Sequence, residues 1–184
     1  MSKRMRLTMC LFAGMMCNLL APAGARPAAL VTSFDPDILA LEAIAFDPAA
    51  GTLFLYHDAS DVLREFTTAG VEILPAIPAE PEANNDTDLD FTSVAISIAG
   101  TNVPAGSLVA FNGDRNKIQA LNKDTGVLIA ETPEPLELQG GFVMPVTGAL
   151  FGLDWFDEVI AELSASDGHV VRSFPIAPPG SPPF

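Results

Sequence analysis

The chain has 184 residues, a formal net charge of −14 at pH 7 and 49% hydrophobic residues, enough apolar material for one domain of ordinary size. So acidic a balance, 23 Asp and Glu against 9 Lys and Arg, excludes a nucleic-acid binder that works through clustered basic side chains. Both cysteines, Cys10 and Cys17, sit near the N-terminus, so the rest of the chain has no thiol for a disulfide or a thiolate metal site.

The first predicted element is a secretory signal peptide, residues 1–25. Lys3, Arg4 and Arg6 form a basic start, Leu7 to Leu20 an apolar run, and Ala23 and Ala25 the small-residue pattern of a cleavage site. The apolar run is shorter than the roughly 20 residues a spanning helix needs and contains Asn18. Cleavage after Ala25 implies a secreted or periplasmic protein with no membrane span in its mature chain. It would also remove three positive charges and leave the remainder more acidic still.

Residues 26–176 read as a repeat domain. Gly106-Ser107-Leu108 and Gly148-Ala149-Leu150 open two segments that align without a gap: Ile118 with Ile160, Leu121 with Leu163, Gly126 with Gly168, at a constant spacing of about 42. An earlier segment, Phe46 to Leu55, aligns with Val143 to Gly152. The repeats are predicted at about 42–78, 91–133 and 139–176. Extra length between Gly51 and its counterpart Gly106 lies in an acidic stretch from Ala79 to Asp90 and in a long turn from Ala99 to Gly106, both rich in turn formers.

Each repeat reads as β. Leu53-Phe54-Leu55-Tyr56 and Leu108-Val109-Ala110-Phe111 are short apolar runs bounded by Gly and polar turns. Asp61 to Phe66, Asn116 to Leu121 and Glu158 to Leu163 supply the next strands. The turns that follow end in Gly70, Gly126 and Gly168, the residue type that adopts positive φ without penalty. The predicted fold is therefore all-β, with about three four-stranded antiparallel units of the size of a propeller blade.

The phrase Ala45-Phe46-Asp47-Pro48-Ala49-Ala50-Gly51-Thr52-Leu53-Phe54-Leu55, followed by Val62-Leu63-Arg64-Glu65-Phe66-Thr67-Thr68-Ala69-Gly70, resembles a blade of the NHL-repeat and YncE-like β-propellers. The resemblance implies a propeller-like architecture and no single activity, because that superfamily includes scaffolds, protein and carbohydrate binders, lactonases and phytase-like enzymes. Closed propellers have roughly four to eight blades, so three imply an incomplete or open form. A fragment, an open stack and a homodimer completing a ring all remain compatible. The Pro-rich end, residues 177–184, reads as a tail.

Asp86, Asp88 and Asp90 are the metal candidates: alternate carboxylates suit a hard cation such as calcium, although Phe91 and Ser97 stand where an EF-hand loop has Gly and Glu. His57 and Asp58 after one strand, and Asp154 and Trp155 at the corresponding place two repeats on, are the ligand-binding candidates. His57 with Asp58 or Asp61 could exchange protons, but neighbouring strand residues face opposite ways, so no catalytic residue is assigned. His169 reads as an exposed hairpin residue. The preferred function is an exported, non-catalytic binding or scaffold module for a protein or carbohydrate, needing no cofactor. The alternative is a calcium-dependent hydrolase of the lactonase or phytase-like propeller type.

Overall fold

A computed structural model describes residues 33–37, 41–57, 61–79, 87–134, 136 and 138–176. The expected leader, both cysteines and the Pro-rich tail lie outside these residues. Every regular element among them is a strand.

β1 (Leu41–Asp47), β2 (Thr52–His57), β3 (Val62–Thr67) and β4 (Glu72–Pro78) form an antiparallel sheet in chain order. Period-two patterning sets its faces: Ala43, Ala45 and Asp47 are buried, while Ile44 and Phe46 project the other way and stay half exposed. A third sheet repeats the plan with β11 (Leu138–Val143), β12 (Leu150–Asp154), β13 (Val159–Leu163) and β14 (Val170–Pro175). Between them β5 (Thr87–Phe91), β8 (Leu108–Asn112), β9 (Lys117–Leu121) and β10 (Leu128–Pro133) make the middle sheet, in the order β10-β9-β8-β5.

The middle sheet starts before the expected repeat boundary at about residue 91. Its first strand lies within the acidic stretch, because Thr87, Leu89 and Phe91 alternate with Asp88 and Asp90 and bury their side of the strand. The downstream residues instead form a two-stranded ribbon, β6 (Ile96–Ile98) and β7 (Thr101–Val103), turned at Ala99 and Gly100 with φ of 48° and 79°. That ribbon reaches the third sheet, where the Ala99 N–H donates to the Ala165 carbonyl at 2.8 Å.

The core lies in two layers, one on each face of the middle sheet. Leu108 and Ala110 of β8 pack with Phe54, Tyr56 and Leu63 of the first sheet. Val109 and Phe111 point the other way, to Val143, Leu150 and Leu163 of the third. Both faces are covered, so all five residues of β8 are buried and the strand reads as a continuous apolar run rather than an alternating one. Burying each such Leu or Phe contributes about 1.5–3 kcal/mol. The first strands gather together, with β5 beside both β1 and β11.

Successive sheets meet through one recurring contact. A Cβ built on Gly126, in the β9–β10 turn, would fall 2.0 Å from the carbonyl oxygen of Pro78, the last residue of β4. A Cβ on Gly168, in the β13–β14 turn, would fall 1.7 Å from the carbonyl oxygen of Pro133, the last residue of β10. Only glycine permits this approach, and its φ of 71° and 75° there suits the turn as well.

Candidate functional site

Asp88 and Asp90 stand two apart on β5, hence on one side of it, facing β11. One oxygen of each reaches the neighbouring sheet: Gly141 N–H donates to Asp88 Oδ2 at 3.1 Å and Val143 N–H to Asp90 Oδ2 at 2.6 Å. The other oxygens accept from β5 itself, from Leu89 N–H at 2.9 Å and Phe91 N–H at 2.8 Å. β5 and β11 are edge strands of their sheets, so the two carboxylates supply acceptors to edge N–H groups that no further strand pairs. Burial raises the Asp88 pKa, the Gly141 and Leu89 N–H groups pull it back, and the charge of Asp90 adds to the rise.

This geometry gives Asp88 and Asp90 a joining role that their spacing alone does not reveal. Asp86 lies outside the described residues. Among the described residues no group of three or more His, Cys, Asp or Glu is placed to hold a metal ion.

The β2–β3, β8–β9 and β12–β13 turns lie at the same end of their sheets as the crossovers from one sheet to the next. His57 ends β2 on this rim; its side chain and Asp58 lie outside the described residues. Asp154 is buried and accepts from Asp157 N–H at 3.0 Å, closing its own turn. Asn112 does the same in the middle sheet, accepting from Arg115 N–H at 3.1 Å. Trp155, next to Asp154 in sequence, is 59% exposed, and Phe156 beside it is 72% exposed. The structure thus separates Asp154, a turn cap, from Trp155, a surface side chain. His169 is exposed at its hairpin with Nδ1 2.6 Å from Asp167 Oδ1.

Glu134 escaped the sequence reading. It follows Pro133 where the chain leaves the middle sheet, is 4% exposed, and neither oxygen makes a close hydrogen bond. Burial pushes its pKa up to about 8, the backbone N–H groups of Leu138 and Leu136 draw it down, and the charge of Asp154 raises it further. One Glu between prolines carries no sequence signal of burial. The outer face of the third sheet was equally hidden: Phe142 and Phe151 stack there at 5.0 Å and 6°, with Phe142 41% exposed.

No family model matches the chain, and no curated protein matches it. Solved structures do. A structure of a nidogen/laminin complex aligns with a TM-score of 0.57 at 14% identity, covering 77% of this chain and 49% of that one. Glutaminyl cyclase from Myxococcus xanthus aligns with a TM-score of 0.52 at 14% identity, covering 72% of this chain and 51% of that one. The Pan2 WD40 domain of Neurospora crassa aligns at 0.46 and 14% identity, over 73% and 35%.

The described residues form three β-propeller blades. The chain spans about half the length of the first two of these proteins. Blade 1 is β1–β4, blade 2 is β5 with β8–β10, and blade 3 is β11–β14. At these identities the likeness concerns the fold alone, and function is argued from the surface.

Proposed function

We propose that this propeller module is an exported, non-catalytic binding protein whose contact surface is the rim carrying Trp155 and Phe156, and whose ligand is a protein surface combining apolar and basic groups. The observation that carries the reading is the exposure of these two adjacent aromatics, 59% and 72%, on one turn. Leaving both rings in water forfeits burial that a partner would supply, and Trp in particular is enriched at the centres of protein interfaces. Asp157 and Glu158 continue the same turn and favour a basic partner. Export rests on the leader-like residues 1–25.

Trp155 is the one tryptophan of the chain, so its emission reports on this turn alone. Titration with peptides rich in Arg and apolar residues is expected to give a saturable change that Phe156→Ser removes. Saturation by soluble oligosaccharides instead would replace the protein ligand with a carbohydrate, and silence toward both classes would overturn the reading.

A further inference from the structure

Each junction inside the chain is made the same way: the carbonyl of the proline ending one blade rests on the positive-φ glycine of the next blade's outer turn, Pro78 on Gly126 and Pro133 on Gly168. Among the described residues one proline and one glycine of the series lack such a partner. Blade 3 ends in Pro175 on its exposed side, and blade 1 carries Gly70, with φ of 83°, in the equivalent turn. The two end faces are correspondingly apolar, with Phe46 and Ile44 half exposed on blade 1 and Phe142 and Phe174 on blade 3.

Gly70 is not bare. A Cβ built on it would lie 2.6 Å from the Phe34 ring, which also stacks on Phe66 at 5.9 Å. Phe34 therefore occupies on blade 1 the place that a preceding blade's proline occupies on blades 2 and 3. The opposite end has no such cover among the described residues, and Pro175 is exposed.

We propose that two copies of this chain close head to tail into a six-bladed ring, the Pro175 carbonyl of each resting on Gly70 of the other, and that Phe34 is the plug that must leave Gly70 for the ring to form. The chain's own end faces are the complementary halves of the junction it uses twice internally. One copy aligns with 49% and 51% of two propeller-like chains. Six blades fall within the roughly four to eight that close a propeller. A two-fold axis makes both new junctions equivalent, and using both ends stops growth at two copies. This assembly is independent of the Trp155 rim and stands or falls separately from it.

The test is light scattering of the purified protein and its Phe34→Ser variant, with strand content followed by circular dichroism. Phe34→Ser is expected to raise the dimer association constant at least about tenfold, and Phe34→Ser/Phe142→Glu to return the protein to a monomer. A folded Phe34→Ser that dimerises no better than the parent, a dimer indifferent to Phe142→Glu, or a ladder of larger species would each overturn the proposal.

A second measurement does not depend on that variant folding. Ala69 and Pro175 are both exposed, so Ala69→Cys and Pro175→Cys, each made in a Cys10→Ser/Cys17→Ser background, leave the packing intact. Mixed under mild oxidation, they are expected to form a heterodisulfide. Homodisulfides of Pro175→Cys alone would show face-to-face pairing and refute the head-to-tail ring, as would a mixture that stays uncrosslinked.

Discussion

The Asp90 carboxylate accepts a hydrogen bond from the Val143 backbone N–H at 2.6 Å across 53 residues of sequence. It ties the inner strand of blade 2 to the inner strand of blade 3, and Asp88 repeats the bond to Gly141 at 3.1 Å. Asp90→Ala removes the acceptor for both Val143 and Phe91 and leaves two N–H groups without it. The expected loss is about 1–3 kcal/mol, or a melting temperature lower by roughly 3–10 °C for a chain of this length. Asp90→Asn keeps one acceptor oxygen and is expected to lose less. Equal melting of Asp90→Ala and the parent would show that the bond contributes nothing.

The glycines at the blade junctions have built-in controls. Gly51, with φ of 70°, has open space where a Cβ would go, so Gly51→Ala is expected to cost about 1–2 kcal/mol of backbone strain. Gly126→Ala adds a collision with Pro78 to the same strain. Its cost in urea unfolding is expected to exceed that of Gly51→Ala by about 1–3 kcal/mol, the penalty of overpacking. Equal costs would mean that blades 1 and 2 do not meet at this contact.

Glu134 makes stability depend on pH. Its carboxyl, ordinarily near 4.5, is raised to about 8 in the folded chain. Between these values the folded protein holds a proton that the unfolded chain has released. Stability is therefore full below the lower value, falls as pH rises through the interval, and levels off above the upper one. The drop is on the order of a few kcal/mol. Asp88, also raised, slopes in the same sense. Glu134→Gln is expected to flatten most of the slope, so that the variant gains on the parent as pH rises from 5 toward 8; parallel melting curves at every pH would contradict this.

Neighbours in the β12–β13 turn are expected to behave oppositely. Trp155→Ser and Phe156→Ser alter exposed rings and should shift stability by no more than about 0.5 kcal/mol. Asp154→Ala removes a buried turn cap and should cost about 1 kcal/mol or more. Thermal melts of the three variants check the contrast. A Trp155→Ser change as damaging as Asp154→Ala would mean that the ring is structural, not a contact.

Much of the fold was legible because blade construction leaves local marks. Gly70, Gly126 and Gly168 close equivalent turns, and each strand pair around them carries the period-two or continuous apolar pattern of a sheet that is buried on one or both faces. The middle blade was misread at its start because Asp88 and Asp90 look like a polar loop until Thr87, Leu89 and Phe91 are known to share a buried face. Their partners are 53 residues away, and no local spacing encodes which backbone an acidic strand will meet. The same holds for Phe34, whose place on Gly70 depends on the chain folding back. Asp154 and Trp155 were named together as ligand-binding candidates, but adjacency could not tell the buried cap from the exposed ring.

Asp90 acts as a tie between blades 2 and 3 through the Val143 N–H. Melting of the purified protein in excess calcium and in excess chelator tests it most directly, because a cation bound by the folded state at 100 times its dissociation constant adds about 2.7 kcal/mol. The expected result is coincident melts for the parent, with Asp90→Ala lower by the same amount in both solutions. A parent that melts several degrees higher in calcium, with the increment lost in Asp90→Ala, would make Asp90 a metal ligand instead of a tie between blades.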